Sequence, residues 1–236
     1  MEVVVVDNAS SDDTPGQIKQ NWPQVRLIEN ADNRGFASAN NQGLAISRGR
    51  YVALLNSDTL VTSQALSQLV AFMDEHPEAG ACGPCLLQPN GQPQAFAFGH
   101  DPTPGYLFRR GFTHLLLRRP LHNWNTDQTQ MVDWVSGACL IARRQAIEQA
   151  GPLDESIFMY FEDNDWCLRF RQCGWKIYYL PTVAITHIGG QSRRQNPAAQ
   201  AAYYTSLRYF YRKHYGWLSQ LWLTVSLPFY RRFNRI

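Results

Sequence analysis

Val3-Val4-Val5-Val6-Asp7-Asn8-Ala9-Ser10-Ser11-Asp12-Asp13-Thr14-Pro15 is an unbroken apolar run, an acid at its end, a turn of small polar residues and a proline. A continuous β-branched run suits a strand covered on both faces, and proline suits the first turn of a helix, where the amide it lacks has no partner. The unit is strand, loop, helix. The same grammar repeats outward: residues 25–29 and Tyr51–Leu55 read as strands, 36–47 as a helix, and 63–76 as a helix with Leu66, Leu69, Val70 and Met73 on one face. Alternating β and α units imply an α/β fold, a Rossmann-like and mostly parallel sheet with helices on both faces.

Further along, residues 81–87 and 94–98 flank Gln88-Pro89-Asn90-Gly91 as a hairpin, and 99–130 is irregular and rich in Arg, Pro and Gly, as a functional loop or lid is. Strands are expected at 131–135, 138–142, 176–180 and 183–186, and helices at 145–150 and 164–172. From Asn196-Pro197 the chain is helical, so residues 1–196 form the main domain and 197–236 a helical C-terminal segment.

With 236 residues, 44% hydrophobic and 17% charged, the chain has material for one folded domain and is too apolar for disorder. No run of apolar residues is long enough to span a bilayer. Cys82 and Cys85 form a lone C-x-x-C among five cysteines, which reads as buried reduced thiols in a cytosolic setting rather than as a zinc site. Charge is divided sharply. All 19 acids and 11 of the 22 bases lie at or before Asp165, a net −8, whereas residues 166–236 hold the other 11 bases and no acid, a net +11. The C-terminal third therefore faces an anionic partner or forms a solvated basic surface.

Ligands of open α/β sheets sit at the carboxyl ends of strands. Asp7 and Asp58 each follow an apolar strand, and Asn56-Ser57-Asp58 is a short acidic turn able to offer a hard dication an oxygen; it equally reads as the cap of the helix near Ser63. Glu162-Asp163-Asn164-Asp165 follows Phe158-Met159-Tyr160-Phe161. Mutual repulsion and an apolar shelf favour a proton acceptor among these acids, and ordinary acidic decoration of a helix start is the plainer reading. His187 ends a strand before Gly189-Gly190-Gln191-Ser192-Arg193-Arg194, where glycines permit close approach and arginines offer forked donors to a diphosphate; a structural histidine fits there too.

Taken together, these blocks resemble the family 2 inverting glycosyltransferases, in particular rhamnosyltransferase-like bacterial members that build polysaccharides on lipid carriers. The likeness runs from residue 2 to about residue 216 through Val3–Ser10, residues 33–40, Leu54-Leu55-Asn56-Ser57-Asp58-Thr59, Trp134-Val135-Ser136-Gly137-Ala138-Cys139, residues 162–169, and His187 with its glycines. It implies an A-type glycosyltransferase fold and a nucleotide-diphosphate sugar donor, with a saccharide or polyprenyl-linked acceptor and Mg²⁺ or Mn²⁺ as cofactor. On this resemblance Asp163 is the general base, and Glu162, Asp165, Trp134 and Gly137 support it or meet the acceptor. Asp7, Asn33, Arg34, Gly35, Asn56, Arg193 and Arg194 bind the donor, and Asp58 and His187 hold the metal. Asn56 replaces the first acid of the family's D-x-D-like turn.

Family members carry a strand and helix ahead of the position of Met1. The chain is therefore expected to lack them, through truncation or a misassigned start, leaving the strands at 3–6 and Tyr51–Leu55 each short of a partner. Residues 217–230 combine Trp217, Leu218, Leu221, Trp222 and Leu223 with flanking basic residues, as a segment lying on anionic lipid does, or as a packing helix or dimer contact does. The expected location is the cytosolic face of the inner membrane. Two other readings differ in class: an inactive fragment that only binds, and a nucleic-acid module, which leaves the acids at Asp7, Asp58 and Asp163 without a purpose.

Overall fold

A computed structural model describes residues 1–117, 121–189 and 197–233. β1 (Val4–Asp7) and β2 (Arg26–Glu29) pair in parallel across α1 (Thr14–Asn21), with Val4 opposite Arg26 and Asp7 opposite Glu29. α2 (Gly35–Ile46) packs on β1. β3 (Tyr51–Leu55) and β4 (Thr59–Leu60) precede α3 (Ser63–Glu75), which Thr62 caps by accepting the Ala65 amide at 3.2 Å. Then come β5 (Ala79–Leu87), β6 (Phe98–Gly99), α4 (Pro104–Leu117), β7 (Gln130–Met131), β8 (Trp134–Val135), β9 (Cys139–Arg143) and α5 (Arg144–Ala150). α6 (Glu162–Gln172), β10 (Lys176–His187), α7 (Pro197–His214) and α8 (Trp217–Phe233) complete the order.

The larger sheet runs β3-β9-β5-β10-β4, with β7 also on β10. The α/β architecture is the expected one, but strand direction is mixed: β5 and β10 run parallel, while β9 is antiparallel to β3 and β5, and β4 and β7 are antiparallel to β10. A buried run of about five apolar residues carries no directional signal, so the sequence pattern alone makes the sheet too parallel. Among the described residues β1 pairs only with β2, and β3 only with β9.

Four local expectations are corrected. Residues 99–130 contain the helix α4, started by Thr103, whose hydroxyl accepts the Tyr106 amide at 3.2 Å, and by Pro104 behind it; Gly105 and Gly111 obscure the pattern. The turn after β5 forms, with Gln94 N–H on the Leu86 carbonyl at 2.7 Å, but Phe98–Gly99 leaves to pair with Trp134–Val135 because β9 and β10 already flank β5. Residues 131–135 split between two sheets, β7 on β10 and β8 on β6. Residues 176–187 form one strand, whose register against β5 shifts between Leu180 and Ala184.

The main core lies on β5, β9 and β10 and on the inner faces of α3 and α6, around Leu69, Leu140, Ile141, Trp166, Phe170 and Ile177. A second cluster joins Leu107 of α4 and Phe161 to Leu207 and Phe210 of α7 and to Leu223 and Leu227 of α8.

Candidate active site

The β4–β10 ladder places Thr59 opposite His187, and the Ile188 amide donates to the Asp58 carbonyl at 2.8 Å. This brings His187 Nε2 to 3.2 Å from Asp58 Oδ1 and 3.4 Å from Asn56 Nδ2. On the other side of the ring, Nδ1 stands 2.7 Å from Gln94 Oε1. The Nε2 and Asp58 Oδ1 atoms are close enough to share either an N–H···O hydrogen bond or a cation. One imidazole nitrogen, one half-exposed carboxylate and a neighbouring amide fit Mn²⁺ or Mg²⁺ with positions left for ligand oxygens. Among the described residues no third His, Cys, Asp or Glu joins them.

The opposite wall begins at the N-terminus of α6. Tyr160 and Phe161 enter it with φ of 67° and 71°, a left-handed pair of bulky residues that only firm packing sustains. Ala9 and Phe96 are the other non-glycine residues with positive φ among those described, so every such residue lies in a loop reaching the site or the end of β1. Asp163 Oδ2 accepts the Gly137 amide at 3.0 Å and Oδ1 accepts the Asn164 amide at 2.8 Å, two bonds that orient the carboxylate. With its amide turned to satisfy both neighbours, Asn164 donates to Asp163 Oδ1 and accepts from Trp134 Nε1 at 2.9 Å. Glu162 is 8% exposed, and its Oε2 has no hydrogen-bond partner among the described residues. Burial, and then the charge of Asp163, push its pKa well above the usual carboxylate range.

A cavity of about 350 Å³ joins these walls and is lined by Asn56, Asp58, Gly137, Glu162, Asp163 and His187. Trp134 also lines it. Asp165 does not. Its side chain is fully buried and bound by Arg169 at 2.8 Å, Lys213 at 2.7 Å and His214 at 2.6 Å, so contact with an acceptor is corrected to a structural role. Nor do Asp7, Asn33, Arg34 and Gly35 line the cavity. They gather at the carboxyl ends of β1 and β2, where Asp7 accepts from the Ser10 hydroxyl at 2.5 Å and Asn8 donates to Asn33 at 3.2 Å and to the Gly35 carbonyl at 3.1 Å. Phe36, next in sequence, reaches the cavity and links the two groups. Arg193 and Arg194 lie outside the described residues.

Sequence reasoning passes over several lining residues. Gln94, which meets His187 Nδ1, sits in a segment read as plain strand; Arg110, with its guanidinium carbon 5.2 Å from the Phe96 ring centre, sits in one read as loop. The aromatic wall of Phe96, Phe98, Tyr106 and Trp124 has no sequence spacing that announces it, because it is assembled from a strand, a helix and the loops beside them.

The model of glycosyl transferase family 2 matches residues 1–134, more than half of the chain. The chain belongs to glycosyl transferase family 2. This family 2 transferase is 30% identical, over 240 aligned positions covering 92% of it and 76% of the relative, to an N-acetylglucosaminyl-diphospho-decaprenol L-rhamnosyltransferase of Mycobacterium tuberculosis. It is 29% identical, over 79% of its length and 58% of the relative, to a low-salt glycan biosynthesis hexosyltransferase of Haloferax volcanii. Its fold is that of a mannosyltransferase from Pyrobaculum calidifontis solved with GDP-Man and Mn²⁺, at TM-score 0.59 and 21% identity, with 90% of this transferase and 54% of that chain covered. It is likewise that of GalNAc-T7 solved with UDP, GalNAc and Mn²⁺, at TM-score 0.57 and 16% identity, with 79% and 37% covered. The transferase thus spans about half or less of either solved chain.

Proposed function

We propose that the chain inverts the configuration of a sugar as it moves it from a nucleotide-diphosphate donor, rhamnose-like or another hexose, to a saccharide or polyprenyl-linked acceptor in polysaccharide synthesis. The observation that carries this reading is one cavity holding the Asp58–His187 pair on one wall and the oriented Asp163 carboxylate on the other. Asp163, its carboxylate oriented by the Gly137 and Asn164 amides at the cavity wall, is the group that takes the proton of an acceptor hydroxyl. As that proton moves, the hydroxyl oxygen bonds to the anomeric carbon, and the bond from that carbon to the diphosphate oxygen breaks with its electron pair. A single displacement from the face opposite the leaving group inverts the centre. Asn56, with Arg193 and Arg194, serves the diphosphate, and Asp7, Asn33, Arg34 and Gly35 serve the nucleoside along the β1–β2 edge. Mg²⁺ or Mn²⁺ held by Asp58 and His187 would supply charge neutralisation for the departing diphosphate. The mycobacterial relative's name, with a decaprenol-linked acceptor and a rhamnosyl donor group, supports the acceptor and sugar classes.

Asp163→Asn tests the reading. General-base assistance is worth about 10²–10⁴-fold in rate, so kcat is expected to fall by at least the lower figure while donor affinity, measured by calorimetry with Mn²⁺ present, stays within a few-fold. Turnover close to the parent's would remove Asp163 from the role. A binding module without turnover is the second reading, favoured by the single pairing of β1 and of β3 among the described residues. Absence of sugar transfer with either cation, despite donor binding, would select it.

A further inference from the structure

α4 and α8 each carry two apolar faces. Leu107 of α4 and Leu223 and Leu227 of α8 point into the second core cluster. On their outer sides Phe108, Phe112 and Leu116 of α4 are 65%, 50% and 61% exposed, and Trp217, Leu221 and Val225 of α8 are 70%, 55% and 62% exposed. Both triplets follow the i, i+4, i+8 spacing that keeps side chains on one helical stripe, and the two helices contact each other. A helix apolar on its inner and outer faces has a second apolar environment to meet.

Charge identifies that environment. Neither helix contains an acid, α7 between them in sequence contains none, and Arg109 stands exposed beside Phe108. Apolar stripes on helices whose only charged residues are basic match the interface of an anionic bilayer, where the apolar stripe enters the acyl boundary and the basic residues meet headgroups. No helix among the described residues is long and apolar enough to cross a membrane, which leaves lying upon it. We propose that α4 and α8 together form the face by which this protein docks on an anionic lipid surface.

The placement of α4 ties docking to the site. Tyr106, Leu107 and Arg110, on its other side, line the cavity, so one helix thickness, about 10 Å, separates the lipid face from the acceptor wall. This part of the inference rests on the proposed lipid-linked acceptor: a sugar on a polyprenyl anchor would enter the cavity beside the helix that touches its membrane.

Sedimentation with phosphatidylcholine vesicles, with and without about one third phosphatidylglycerol, tests the docking itself. The parent protein is expected to bind the anionic vesicles at least tenfold more tightly than the neutral ones, and to lose that margin as salt rises from about 50 mM to about 500 mM. The triple variant Phe108→Ser, Phe112→Ser, Leu116→Ser should lose at least about tenfold in vesicle affinity while keeping turnover of a water-soluble short-chain acceptor. Trp217→Ser with Leu221→Ser provides a second variant if the first does not fold, as judged by its circular dichroism. Vesicle binding unchanged by either variant overturns the proposal. So does a parent protein that is dimeric by light scattering and becomes monomeric in the variant, since a second copy would then cover the face. Absent turnover in the parent overturns the proposed reaction and leaves the sedimentation result to stand by itself.

Discussion

Glu162 and Asp163 are neighbouring carboxyls with opposite surroundings. Asp163 is met by two backbone amides, whereas Glu162 is buried with one oxygen unpartnered among the described residues and the Asp163 charge beside it. The folded protein therefore holds a proton on Glu162 at pH values where the unfolded chain has released it. In the window between the ordinary glutamate value of 4.5 and the raised one, the native state binds more protons, so the contribution to stability is full below the window and is lost as pH rises through it. The slope is at most about 1.4 kcal/mol per pH unit. Glu162→Gln, which keeps a neutral side chain, should flatten this part of the stability profile in urea titrations run from about pH 5 to about pH 8. Parallel profiles for parent and variant would mean that native Glu162 is already ionised. In the sequence the acidic run is visible, but the three roles within it are not. Burial and hydrogen bonding separate a poorly solvated Glu162 from an oriented Asp163 and a fully enclosed Asp165, and the enclosure of Asp165 comes from Lys213 and His214 of α7, far along the chain.

At the level of elements, the entry to α2 shows how a loop sets the cavity edge. Gly35 has φ of +82°, and a Cβ there would come within 2.8 Å of the Phe158 carbonyl oxygen, while the next amide, of Phe36, donates to that oxygen at 3.2 Å. Gly35→Ala combines a left-handed backbone with a backbone clash, so a loss of about 1–3 kcal/mol is expected in chemical denaturation. Because Phe36 lines the cavity, its displacement should also weaken substrate binding; an alanine variant as stable as the parent would show that the loop simply relaxes. The elements legible in the sequence are those whose signal is local: the Val4–Asp7 run, the α2 segment opened by Gly35, and α3, although its cap is Thr62 and not Asp58, which lies too far ahead of Ser63. α4 was hidden by glycines that break its period, although Thr103-Pro104 marks its start. The division of residues 131–135 between β10 and β6 has no local signal, because a two-residue strand is defined by its partner alone.

Over the whole molecule, the acidic body and basic C-terminal third meet inside as well as outside. Lys213 binds Asp154 at 2.6 Å and Asp165 at 2.7 Å, Tyr209 donates to Asp154 at 2.9 Å, and His214 reaches Asp165 at 2.6 Å. Part of the positive excess is thus spent on fastening α7 to α6, and the second core cluster, with α4 and α8, closes over that fastening. Removing one partner of a buried ion pair typically costs about 3–5 kcal/mol, because the other charge is left without compensation. Asp165→Asn should cost somewhat less, about 2–4 kcal/mol, since Lys213 keeps Asp154 and Arg169 keeps the Ala150 and Pro152 carbonyls. The loss should concentrate in α7 and α8, read as faster amide exchange there than in α3, whose contacts lie in the main core. If exchange quickened equally in α3 and α7, or stability fell by under about 1 kcal/mol, the C-terminal helices would be held by their apolar cluster alone, and Asp165 would be dispensable to the architecture that presents α4 and α8.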